Sequence, residues 1–88
     1  MNYEIDLSSD SRKYLSKLDR PTRNRILDHL KILSENPRNP ELDIKKLQGY
    51  LSLFRLRVGS YRILYTIEDN VLIIFVVTIG SRGDVYKF

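Results

Sequence analysis

Between residues 45 and 67 the chain carries Lys45, Lys46, Arg55, Arg57 and Arg62 and not one Asp or Glu. Cations with no acid in their own segment form a surface for an external anion, and arginine's planar fork suits bidentate contact with phosphate. Gly59-Ser60 is a two-residue hairpin signal. Closing that hairpin sets Val58 against Tyr61, Arg57 against Arg62, Leu56 against Ile63, Arg55 against Leu64 and Phe54 against Tyr65. Side chains alternate between the faces of a strand. Phe54, Leu56, Val58, Tyr61, Ile63 and Tyr65 therefore share an apolar face, and Arg55, Arg57 and Arg62 share the other. Like charges directly opposite each other destabilise a sheet by something within about 0.2–1 kcal/mol, so a sequence that keeps the Arg57–Arg62 pair uses it. Nucleic acid is the leading partner class; a solubilising polar face is the competing reading. Arg82, in the loop Gly80-Ser81-Arg82-Gly83, and Tyr86 four residues later are further candidates, because loops at strand ends collect functional side chains. That loop lacks the Lys-Ser/Thr ending and the following helix of a phosphate-binding loop.

Composition limits what else the chain can do. Its 88 residues carry a net charge of +4. Residues 1–44 hold eight basic and eight acidic side chains and residues 45–88 hold seven and three, so the whole excess lies in the second half. That length predicts one domain spanning residues 1–88, and 42% apolar residues suffice for a core. The absence of cysteine excludes disulfides, thiolate metal sites and Cys nucleophiles. A single histidine, His29, excludes a multi-histidine metal centre and reads as a solvated helix residue. No apolar run reaches the roughly 18–20 residues of a membrane span, and the first ten residues lack a signal-peptide core. A cytoplasmic protein without membrane association is the expectation.

The elements that must position these residues follow from periodicity. Tyr3, Ile5 and Leu7 alternate with polar neighbours and predict a strand over about 3–7. Ser8, Ser9 and Asp10 offer capping oxygens to a first helix ending near residue 18. Pro21 suits the first turn of a second helix, striped by Ile26, Leu27, Leu30 and Leu33 and stopped near Glu35 by Asn36-Pro37. From Leu51 the texture turns β-branched and aromatic, predicting strands at about 53–58, 61–68 and 71–79 with a two-residue turn at Asp69-Asn70. Val85 to Phe88 could add a short last strand. The fold class is α+β: a strand, a two-helix hairpin, then an antiparallel meander of three to four strands in one sheet with the helices on one face.

Three stretches together resemble a known family. Lys46-Leu47-Gln48-Gly49, then Phe54-Arg55-Leu56-Arg57-Val58-Gly59-Ser60-Tyr61-Arg62-Ile63-Leu64-Tyr65, then Ile79-Gly80-Ser81-Arg82-Gly83-Asp84-Val85-Tyr86 are similar to the RelE toxins of toxin–antitoxin systems. Leu18-Asp19-Arg20-Pro21 and Glu35-Asn36-Pro37 also look like this family, so the likeness spans nearly the whole chain. The resemblance implies an endoribonuclease, an mRNA interferase that needs no metal or cofactor, enters the ribosomal A site and is inhibited by a RelB-like antitoxin in a heteromeric complex. There the mRNA 2′-hydroxyl attacks the adjacent phosphate. By position, Arg62 and Arg82 would stabilise the phosphorane, and Tyr86 would orient the scissile nucleotide or join in proton transfer. Arg55 and Arg57 match basic positions that contact phosphate, and Lys45 and Lys46 extend that substrate-binding set.

Several departures bear on the chemistry. Many relatives carry lysines on this strand, whereas here Leu53 precedes two arginines, and arginine with a pKa above about 12 is a poor general base. The base is thus unassigned. Some relatives have histidine where Ser81 stands, and the chain ends at Phe88 without the C-terminal helix that many members add. Two other functions fit the same fold: a ParE-like toxin acting on DNA gyrase, and a non-catalytic RNA-binding relative.

Overall fold

A computed structural model describes residues 2–47 and 52–81. The element order is β1 (Glu4–Leu7), α1 (Ser9–Ser16), α2 (Arg20–Glu35), β2 (Asp43–Lys46), β3 (Phe54–Val58), β4 (Tyr61–Glu68) and β5 (Ile73–Ser81). The five strands form one sheet in the order β1-β5-β4-β3-β2. β1 runs parallel to β5, and every other neighbouring pair is antiparallel. Arg82, Tyr86 and the short strand expected over Val85–Phe88 lie outside the described residues.

Each helix starts where a side chain can take its first free N–H groups. Ser8 caps α1, its Oγ accepting from the Ser11 N–H at 3.1 Å. Asp19 caps α2, accepting from the Thr22 N–H at 3.1 Å, and Pro21 sits in the first turn where its missing N–H costs nothing. α2 ends at Glu35, as Asn36-Pro37 dictates. Leu15 of α1 and Ile26, Leu30 and Leu33 of α2 pack on Leu56, Val58, Ile63, Tyr65, Ile74, Val76 and Ile79 of the sheet. Leu27, grouped with this stripe by spacing, is 41% exposed.

The β3–β4 register is the one the hairpin signal predicts, pair for pair from Phe54–Tyr65 to Val58–Tyr61. Gly59 supplies the turn's positive φ of 61°, and Ser60 stays out of that region, as a turn with glycine first requires. The β4–β5 connection differs from the expected two-residue turn. Glu68 pairs with Ile73, so Asp69–Leu72 is a four-residue loop, and Leu72 takes the left-handed conformation at φ 56°. β5 accordingly spans Ile73–Ser81 rather than 71–79.

Two features were not anticipated. β2 is a fourth meander strand pairing with β3. In β5, Leu64 pairs with Thr78 but Tyr65 pairs with Val76, leaving Val77 as a bulge. The bulge carbonyls are taken up from α1: Ser8 Oγ donates to the Val77 carbonyl at 2.7 Å, and the Ser8 N–H and Ser11 Oγ donate to the Val76 carbonyl at 3.0 and 3.2 Å. One capping serine thereby anchors the helix layer to the sheet and satisfies the irregular strand.

Candidate functional site

The hairpin places Arg57 directly across from Arg62, and β2 extends that row: Asp43 pairs with Arg57, Arg57 with Arg62, and Arg62 with Gly80 of β5. The neighbouring row runs Lys45, Arg55, Leu64 and Thr78. Alternation then puts Asp43, Lys45, Arg55, Arg57 and Arg62 on the side of the sheet away from the helices. Lys46 falls on the opposite parity, alongside core-packing Ile44, so it does not join the arginines. Of the expected site residues the structure brings together Lys45, Arg55, Arg57 and Arg62; Arg82 and Tyr86 lie outside the described residues.

Asp43 changes the electrostatics. Its Oδ1 accepts from Arg55 Nη2 at 2.7 Å and its Oδ2 lies 2.9 Å from Arg57 Nε. The expectation that no internal acid balances the arginines is therefore corrected: the segment 45–67 contains none, but the strand beside it supplies one just upstream. A lone acid at alternation distance from Lys45 was the available signal, and it carries weight only once β2 is known to be a strand. Arg55 and Arg57 are not equivalent under this pairing. The Arg55 side chain is 15% exposed and its Nε is buried with no hydrogen-bond partner, whereas Arg57 is 50% exposed. Arg62 Nη1 donates to the Ser60 carbonyl at 3.3 Å, and among the described residues no carboxylate lies within 4.0 Å of Arg62 or Lys45.

Beside the arginines a small apolar cluster of Leu53, Leu64, Leu47 and Val77 covers this face, and it is the bulge that turns Val77 toward it. Leu64 is fully buried there, so the Arg55 stem runs along a dry surface. A cationic rim of this kind can hold phosphate oxygens, and the half-buried Leu47 and Val77 beside it can meet an uncharged base or ribose. His29 belongs to the helix layer, its Nδ1 held 2.8 Å from the Arg25 carbonyl of its own helix. Tyr65 stacks on Phe54 on the helix side, and burial pushes its phenol above the ordinary value. Neither is on the arginine face. Among the described residues no three His, Cys, Asp or Glu side chains converge as a metal site would require, and no helix is long and apolar enough to cross a membrane.

Comparison with known proteins bears on this surface. The family model described as "ParE toxin of type II toxin-antitoxin system, parDE" matches residues 5–86. A putative RelE-like toxin protein of Escherichia coli is 31% identical over 99% of this chain and 93% of its own length. The mRNA interferase toxin RelE of Escherichia coli K12 is 28% identical over the same shares. A chain in the crystal structure of the archaeal RelE-RelB complex from Pyrococcus horikoshii OT3 superposes with a TM-score of 0.81 at 28% identity, covering 96% of this chain and 99% of that one.

Proposed function

Because the chain belongs to the RelE/ParE family of toxins of type II toxin–antitoxin systems, we propose that it is a ribosome-dependent mRNA interferase, working in the cytoplasm and restrained by a RelB-like antitoxin. The observation that carries this reading is the opposed Arg57–Arg62 pair, with Arg62 free of any described carboxylate within 4.0 Å. A relative named as an mRNA interferase supports the same class of chemistry.

The reaction needs little from a protein beyond charge and alignment. The mRNA 2′-oxygen forms a bond to the adjacent phosphorus, the bond to the 5′-oxygen of the next nucleotide breaks, and the proton lost by the 2′-hydroxyl is balanced by one gained at that leaving oxygen. The phosphorane between them carries two negative charges. Arg62 and Arg57, facing each other across the hairpin, would hold its non-bridging oxygens, and fixed donors aimed at developing charge are among the largest contributions an enzyme makes. Arg82 would add a further cation, and Tyr86 would orient the nucleotide or relay a proton. Lys45 extends the cationic track for flanking phosphates, Arg55 supports Arg57 from behind, and Lys46 has no place in the site. An arginine cannot serve as the base at neutral pH; alignment of the 2′-hydroxyl within the ribosome would have to supply much of the acceleration.

Toeprinting on programmed ribosomes tests the proposal. Purified protein should create new mRNA 3′ ends in the A site, and Arg62→Ala should lower kcat by about 10²–10³-fold. Cleavage that is absent, or indifferent to Arg62→Ala, ends it. The ParE description of the matching family model keeps a gyrase-directed toxin as the second reading. Inhibition of gyrase supercoiling without any effect on translation would favour that one.

A further inference from the structure

We propose that Asp43 is a positioning residue of the phosphate site, holding Arg57 by Nε so that its two terminal nitrogens are presented to the ligand. The inference rests on the ribonuclease reading for what the ligand is, and on this chain's own geometry for the rest.

Three observations converge. First, the face carries two directly opposed like-charge pairs, Arg57 with Arg62 and Lys45 with Arg55, and among the described residues Asp43 is the carboxylate that comes within 4.0 Å of any of these four. Repulsion would splay side chains so arranged, and Asp43 offsets it without removing a cation. Second, the contact is selective. Asp43 Oδ2 lies 2.9 Å from Arg57 Nε as an ion pair without hydrogen-bond alignment, and neither Arg57 Nη hydrogen-bonds to it, while Oδ1 accepts from Arg55 Nη2 at 2.7 Å. A carboxylate that competed with phosphate would occupy the bidentate Nη edge of the exposed arginine; this one leaves that edge open. Third, burial separates the two arginines. Arg55, 15% exposed, needs a counter-charge to stay in a mostly dry setting beside fully buried Leu64, and Asp43 provides it. The pairing thus has a covered side, Arg55–Asp43, against which the half-exposed side chain of Arg57 rests.

The measurement uses Asp43→Asn, which preserves size and removes charge, Asp43→Glu, which restores charge, and Arg57→Lys, which keeps a cation but has no Nε–H. Far-UV circular dichroism of Asp43→Asn should match that of the wild type. On programmed ribosomes Asp43→Asn should lower kcat by about tenfold to a hundredfold with KM altered less than about threefold, and Asp43→Glu should recover most of that loss. The double variant Asp43→Asn with Arg57→Lys should be no worse than Arg57→Lys alone, because both remove the same arrangement. A lower KM with kcat intact in Asp43→Asn would identify the carboxylate as a competitor and overturn the proposal, as would an unchanged kcat. Should the wild type not cleave at all, the ribonuclease reading fails by itself. The affinity for a short single-stranded RNA then decides: weaker binding in Asp43→Asn supports positioning, and unchanged or tighter binding refutes it.

Discussion

Arg57 and Arg62 face each other at one register position of the β3–β4 hairpin, two like charges that the fold sets side by side. Removing either should relieve repulsion while removing a phosphate contact. Arg62→Ala is expected to leave stability unchanged or raise it by up to about 0.5 kcal/mol, and Arg57→Ala, which also gives up its ion pair with Asp43, to change it by no more than about 0.5 kcal/mol either way. Each should also reduce the slope of log affinity against log salt for single-stranded RNA by about 0.7. Denaturant titration and a salt series of RNA binding check the two halves separately.

Arg55 should behave in the opposite way. With most of its side chain covered and its terminal nitrogen on Asp43, Arg55→Ala is expected to cost on the order of 1–2 kcal/mol of stability. Its effect on the salt slope should be smaller than that of Arg57→Ala. Equal slopes for the two variants would contradict the division of labour between them.

Ser8 joins a helix cap to a strand bulge through one hydroxyl. Ser8→Ala should cost about 1–2 kcal/mol, because the Ser11 N–H and the Val77 carbonyl both lose a partner. Ser11→Ala should cost less, since the Val76 carbonyl keeps the Ser8 N–H. Urea unfolding of the two variants gives the order.

The buried face of α2 can be mapped by substitution. Leu33→Ala, at a fully buried position, is expected to cost about 2–5 kcal/mol, and Leu27→Ala, 41% exposed, well under half of that. Thermal and denaturant melts measure both, and comparable losses would mean that α2 is rotated from the orientation described.

Asp19 and Tyr65 give the pH dependence opposite ends. Hydrogen bonding from Thr22, by its hydroxyl and its backbone N–H, lowers the Asp19 carboxyl from its ordinary 3.8. Its contribution is present above that value and is lost as pH falls through the lower folded value, so wild type should lose more stability than Asp19→Asn between about pH 5 and about pH 2. Burial raises the Tyr65 phenol above 10.0, and its hydroxyl has no hydrogen-bond partner among the described residues. The folded state therefore loses stability as pH rises above 10.0, where the unfolded phenol ionises. Tyr65→Phe should remove that alkaline loss and leave neutral stability unchanged or up to about 1 kcal/mol higher.

What could be read from the chain follows the range of the interactions. The Gly59-Ser60 hairpin is local, and a two-residue turn fixes register, so every β3–β4 pair and the shared arginine face were legible. Helix ends were legible because Asp19, Pro21 and Asn36-Pro37 act on their immediate neighbours. Asp69-Asn70 misled because the true loop depends on Leu72 adopting a conformation that its side chain does not signal. β2 was missed because Asp43-Ile44-Lys45-Lys46 has one apolar residue and no visible alternation. Asp43 was missed with it, since its role appears only when a strand twelve residues away in sequence is laid beside Arg55. The parallel pairing of β1 with β5 and the bulge at Val77 are settled between distant segments, where periodicity has nothing to say.

The extra residue at Val77 sets a reading frame. Before it β5 feeds the core with even-numbered residues, Ile74 and Val76; after it the core receives odd-numbered Ile79, and Gly80 arrives opposite Arg62. Deleting Val77 would join Val76 to Thr78 in an unbroken ladder that keeps Ile79 on the core and Gly80 opposite Arg62; what it would remove is the Val77 contact with Leu53 and Leu64 and the carbonyl that takes the Ser8 hydroxyl. A single insertion or deletion elsewhere in Ile73–Ser81 would instead turn over every residue beyond it, so this strand should accept a loss of one residue at the bulge and changes only in twos away from it.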